Sequence, residues 1–143
     1  MGRQVFIQPR QACFVSLLLD THTFAWFFLA DGRLPGAVRD LITGYEHDIF
    51  IGAISAHEMA LKHRLGLWPE AGPLVEGFDA LAGRARFKTL DITVGHAISA
   101  GQLSTVHRDP FDRIIAAQAI AERLRVVSKD RELMKLGAEV VWG

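Results

Sequence analysis

Residues 14–20 read FVSLLLD, an apolar run from Phe14 to Leu19 that ends on a carboxylate, Asp20. A run of this kind is the pattern of a strand covered on both faces, and such strands belong to parallel sheets flanked by helices. Moving outward, short apolar segments recur at Ile49–Gly52 (IFIG), Phe87–Ile92 (FKTLDI), Arg125–Ser128 (RVVS) and Glu139–Trp142 (EVVW). Helical stretches separate them. THTFAWFFLA (Thr21–Ala30) stops at Asp31-Gly32, and a second helix opens at Pro35 and closes at Gly44. AHEMALKHRL is expected to be capped by Ser55 and ended by Gly66, and residues 70–83 read as one further helix. Thr93 caps a helix to about Leu103, Asp109-Pro110 opens PFDRIIAAQAIAERL, and Lys129–Lys135 makes a short last helix. Strands alternating with helices imply βαβ crossovers, hence an α/β fold with a short, mainly parallel central sheet.

Composition bounds the function. The 143 residues make one domain, long enough to bury roughly 68–70% of the unfolded surface without a metal or disulfide. Half the residues are apolar and 22% charged, which excludes disorder. Sixteen basic residues balance sixteen acidic ones, so a nucleic-acid role needs a local patch. The single cysteine, Cys13, forms neither an internal disulfide nor a zinc motif, and the expectation is a reduced, cytoplasmic protein. ACFVSLLL (residues 12–19) is too short to span a membrane. Residues 1–15 read as an N-terminal arm or extension, with Val15-Ser16-Leu17 a natural start, and residues 16–143 as a single domain.

The acids fall in a telling pattern. Ligands of open parallel sheets bind beyond the carboxyl ends of the strands. Asp20 directly follows one strand, Asp130 lies just past RVVS, and Glu58 sits on the helix after IFIG. Asp112 joins them only if its own helix starts at that edge. Each has a plainer reading. Asp20 suits a helix N-cap, as does Asp109 before Pro110, with Asp112 at the capping-box position. Asp130 suits the positive end of a short helix. Glu58 resists such a reading, because it shares its helical face with Ile54, Leu61 and Leu65 and buried Glu needs a partner. Several carboxylates at one edge repel each other unless a cation intervenes. With oxygen ligands alone that cation is hard, Mg²⁺ or Mn²⁺, and the chemistry it suits is phosphodiester hydrolysis.

Four segments together resemble the PIN-domain ribonucleases, and within them the VapC-type toxins. LLLDTH (Leu17–His22), ISAHEMALKHRLG (Ile54–Gly66), HRDPFDRIIAAQA (His107–Ala119) and VVSKDREL (Val126–Leu133) follow the family's order and spacing over most of the chain. The resemblance implies a three-layer α/β/α sandwich. It implies an acidic catalytic and metal-binding set of Asp20, Glu58, Asp112 and Asp130, with Asp109 and Ser128 in support. It implies a Mg²⁺- or Mn²⁺-dependent endoribonuclease leaving 5′-phosphate and 3′-hydroxyl ends, a cognate VapB-type antitoxin, and a homodimer. His57 stands where the family often has an aromatic residue, and is expected to replace a packing group.

Basic residues flank three of the acids: Lys62, His63 and Arg64 after Glu58; Arg108 and Arg113 around Asp112; Lys129 and Arg131 around Asp130. They are candidate RNA contacts. The aromatic segment FAWFFL (Phe24–Leu29) is expected mainly in the core. Competing readings are an Asp-dependent phosphatase, disfavoured by His22 where a second Asp is wanted, and a non-catalytic RNA-binding scaffold.

Overall fold

The structure is a computed structural model that describes residues 15–44, 46–104 and 108–143. Of the expected arm only Val15 is described, and it opens the first strand. Five strands form one sheet: β1 (Val15–Leu19), β2 (His47–Gly52), β3 (Lys88–Leu90), β4 (Arg125–Val127) and β5 (Val140–Val141). Their order is β3-β2-β1-β4-β5 and every pairing is parallel. The chain builds from β1 out to β3, then crosses back to lay β4 on the other side of β1. The strand order therefore reverses between β1 and β4, and the crevice beyond their carboxyl ends is where such sheets bind ligands.

Side chains alternate across the sheet and feed two apolar layers. Leu17 and Leu19 face one layer with Phe24, Val38, Ile51 and Met59. Leu18 faces the other with Val126, Ile115, Ala116 and Leu133. The helices supply the covers: α1 (Thr21–Leu29), α2 (Gly36–Thr43), α3 (Ala53–Arg64), α4 (Gly72–Glu76), α5 (Phe78–Arg84), α6 (Val94–Gln102), α7 (Pro110–Glu122) and α8 (Glu132–Lys135). The result is the expected α/β/α sandwich. The aromatic segment packs in the core as expected: Phe24 is fully buried, its ring centroid 4.8 Å from Phe28 and 5.0 Å from Phe78. No helix among the described residues is long and apolar enough to cross a membrane.

Several boundaries depart from expectation. Ser55 does not cap α3: the helix starts at Ala53, directly after Gly52 ends β2, and Ser55 is buried in its first turn. The single helix expected over residues 70–83 is a 3-10 turn (Pro69–Ala71) followed by α4 and α5, which break at Gly77. The two outer strands, β3 and β5, span three and two residues. Of their apolar flanks, Phe87 is buried, Trp142 half-buried and Ile92 exposed.

Candidate active site

Register fixes the centre of the site. Leu19 pairs with Ile51 on one side and Val127 on the other, so Asp20 emerges level with Gly52 and Ser128. The Asp20 N–H donates to Val127 O at 3.2 Å and extends the ladder by one bond. Its backbone is extended and it caps α1: Oδ1 accepts the Thr23 N–H at 2.9 Å. Oδ2 accepts the Ser128 hydroxyl. Capping α1 thus occupies one carboxylate oxygen and leaves the other facing Ser128. Asp20 is 8% exposed, and burial pushes its carboxyl above the usual 3.8, against the lowering effect of the bonds from Ser128 and Thr23.

Ser128 is buried and follows β4. It caps no helix, since α8 begins only at Glu132. Instead its Oγ accepts the Asp130 N–H at 2.9 Å while it donates to Asp20. Asp130 itself is exposed, with Oδ1 accepting the Glu132 N–H at 2.9 Å. Asp20 and Asp130 line one open pocket of 310 Å³ together with His22, Trp26, Arg33 and Lys129. Ser128→Ala removes the hydroxyl that orients Asp20. The fold should be retained, and loss of a hydrogen bond that favours the ionised carboxylate should raise the Asp20 pKa further, which an NMR titration reads.

Glu58 is buried at 5% exposure, as its face implied. Its compensation is local: Oε2 meets Lys62 Nζ at 2.5 Å one turn along α3. Oε1 accepts the Thr21 hydroxyl at 2.6 Å, and Thr21 Oγ lies 2.9 Å from Ser55 Oγ. Glu58 is thereby bonded to the residue that directly follows Asp20. Leu65, which caps the end of α3, is 53% exposed and does not join that buried face.

Asp109 caps α7 as expected, its Oδ1 accepting the N–H groups of Phe111 (2.9 Å) and Asp112 (3.3 Å). Asp109→Ala should cost about 1 kcal/mol, measured by urea unfolding. The start of α7 lies against α3. The Phe111 ring is 5.8 Å from that of His57, and Lys62 Nζ is 5.7 Å from the Phe111 centroid. The first turn of α7, which carries the half-buried Asp112, thus lies beside the stretch of α3 that carries Glu58. Among the described residues, no three His, Cys, Asp or Glu side chains are close enough together to hold a metal ion. The donor chemistry still suits a hard cation. Asp20 is a buried carboxylate whose hydrogen-bond donors are both neutral, and it opens onto a pocket shared with Asp130.

The basic residues divide. Lys62 is spent on Glu58. The Arg113 guanidinium donates to the carbonyls of Ala100 (3.0 Å) and Leu103 (2.7 Å) at the end of α6. Arg64, Arg108, Lys129 and Arg131 are exposed, and Lys129 lines the acid pocket. His57 is exposed and touches Phe111, so it does not fill a core position. Sequence reasoning missed Arg33. Two hydrogen bonds to Asp31 (3.0 and 2.8 Å) fix it 4.9 Å over the Trp26 ring, and they hold Asp31 down at a pKa of about 2. The Asp31-Gly32-Arg33 spacing was the available signal.

A family model described as PIN domain matches residues 17–139, from β1 to the approach of β5. The chain belongs to the PIN domain family. This PIN domain is 34% identical over 119 residues to Ribonuclease VapC22 of Mycobacterium tuberculosis, covering 82% of the chain and 89% of that relative. Its fold is shared with VapBC2 from Rickettsia felis, solved bound to a DNA fragment from their promoter (TM-score 0.66, 16% identity, 90% of this chain and 100% of that one). It is shared too with FitAcB from Neisseria gonorrhoeae (TM-score 0.63, 22% identity, 87% and 96%). The PIN domain model spans all four acids singled out above.

Proposed function

We propose that this PIN domain is a metal-dependent endoribonuclease that acts as the toxin of a type II toxin–antitoxin pair. The observation that carries the reading is Asp20, buried at the strand-order reversal, oriented by Ser128 and open to a pocket that also holds Asp130. Its relationship to Ribonuclease VapC22 supports the same substrate class. Asp20 and Asp112 would hold Mg²⁺ or Mn²⁺ most directly, with Glu58 and Asp130 completing the acidic set. The ion supplies charge neutralisation for the phosphate and a more acidic water.

The chain's own groups do the rest. Ser128 and Thr23 hold the Asp20 carboxylate in one rotamer, so its charge is placed in advance of the substrate. Lys129 at the pocket wall attracts the phosphodiester. Asp130, exposed in the pocket, accepts the proton of the attacking water. The water oxygen bonds to phosphorus as the P–O3′ bond breaks and the leaving O3′ takes a proton from solvent water, giving 5′-phosphate and 3′-hydroxyl ends. A VapB-type antitoxin and a second copy of the chain are the partners in this reading. Val94 (77% exposed) and Ile98 (54%), one turn apart on α6, give the second copy an apolar strip.

The test is Mn²⁺ titration followed by thermal unfolding. Wild type should gain stability with rising Mn²⁺ and Asp20→Asn should not. Equal gains in both would place the ion elsewhere and remove this assignment.

A further inference from the structure

A second cavity adjoins the acid pocket. It measures 600 Å³ and shares His22, Trp26 and Arg33 with it, so the two form one groove. Trp68, Lys62 and Leu67 extend its wall. Within it the His22 ring stacks on Trp68, centroids 4.7 Å apart and planes 22° from parallel. The His22 ring also meets Trp26, tilted, at 5.8 Å, and the Arg33 guanidinium lies over that indole. His22 is exposed, and among the described residues neither nitrogen of its ring is held in a hydrogen bond.

The backbone builds this wall deliberately. After α3 the chain turns at Gly66, whose φ of +75° strains any L side chain. The Gly66 N–H returns to His63 O (3.0 Å) and the Leu67 N–H to Lys62 O (2.9 Å), a paired closure of the helix end. The Trp68 N–H also reaches Lys62 O, at 3.2 Å. Trp68 is thus set back across α3 against His22, the second residue past the catalytic aspartate.

The charge pattern decides the occupant. Within this second cavity Arg33 is bound to Asp31 and Lys62 to Glu58, and Glu70 also lines it, so this part of the groove holds no surplus positive charge for a phosphate. What it offers is a row of ring faces beside uncommitted ring nitrogens, and every nucleobase has a face to stack and an edge to bond. We propose that this groove seats one unpaired base of the RNA, next to the scissile phosphate, with Trp68 as the stacking platform and His22 reading the base edge. The inference rests on the ribonuclease reading and names the form of its substrate: a single-stranded segment with a base turned out beside the cut. A protein segment occupying the groove is the competing outcome.

The experiment compares wild type with Trp68→Leu on one short single-stranded RNA and on abasic versions of it, each lacking one base near the cut. Circular dichroism and thermal unfolding confirm that the variant is folded, and Trp68→Phe, which keeps a ring, serves as a second variant. One abasic position should lower wild-type kcat/KM by roughly 5- to 150-fold, the range of a lost base–aromatic stack. Trp68→Leu should lose about as much on intact RNA and lose little more on that abasic RNA, while Trp68→Phe retains most of the discrimination. Additive losses, or indifference to every abasic position, overturn the base seat while leaving the nuclease in place. Unchanged cleavage by Trp68→Leu with weakened antitoxin binding assigns the groove to protein instead. Absence of cleavage and of RNA binding by wild type removes the ribonuclease reading itself, and the base seat with it.

Discussion

Asp20→Asn yields a folded protein whose RNA cleavage is lower by on the order of 10³-fold. The reason is electrostatic. Asparagine keeps an oxygen to accept the Thr23 N–H that starts α1, and the side chain is nearly isosteric, so the cap and the packing survive. What disappears is the Asp20 charge, buried at the point where the strand order reverses. The same change has an opposite signature in stability. Burial raises the Asp20 pKa above 3.8, so the folded chain binds that proton more tightly than the unfolded chain does. The stability this group contributes is present in full below its unfolded value and is lost as pH rises through its folded value. Near pH 7 the ionised carboxylate is therefore a burden on the metal-free fold. With a chelator present, Asp20→Asn should unfold at a temperature equal to or above that of wild type, and the gap should close as pH falls toward 4. Adding Mg²⁺ or Mn²⁺ should reverse the order, since the wild-type site alone binds the ion. A variant that is both inactive and markedly less stable at neutral pH in chelator would mean that Asp20 serves the fold first.

Phe24→Ala should cost about 3–5 kcal/mol in urea unfolding, the usual range for deleting a buried ring. Phe24 is fully buried on α1 and touches Phe28, Phe78 and Phe87, with centroids at 4.8, 5.0 and 6.3 Å. It joins α1 to α5 and to the approach of β3, three separated parts of the chain. Its backbone N–H also bonds to Asp20 O at 3.1 Å, so loosening α1 loosens the site. A cost below about 1 kcal/mol would show that α5 closes over the gap and that the ring cluster is not what seats α1.

The contrast between these two residues shows what a sequence displays and what it hides. Asp20 was legible because an apolar run ended on it. Glu58 was legible because a carboxylate stood on an apolar helical stripe. Both are local patterns, and both carboxylates are buried at the edge the pattern named. The cap at Asp109 was legible for the same reason. What the sequence hid is of two kinds. Ser55 and Gly77 mark places where tertiary packing moved a helix boundary that local propensity sets only weakly. Arg113 and Trp68 depend on where a side chain points once distant segments meet. Arg113 follows Asp112 in sequence but serves α6, and Trp68 reaches His22 only through the turn at Gly66. The partner of Glu58, Lys62, stood one helical turn away and could have been read from the i,i+4 rule.

The most direct measurement is cleavage of total cellular RNA by the purified chain, freed of any antitoxin, with Mg²⁺ or Mn²⁺, beside Asp112→Asn and a chelator control. The account expects discrete, metal-dependent fragments with 5′-phosphate ends from wild type and none from the variant. Fragments that persist in Asp112→Asn or in chelator, or a folded wild-type protein that cuts no RNA at all, would contradict it.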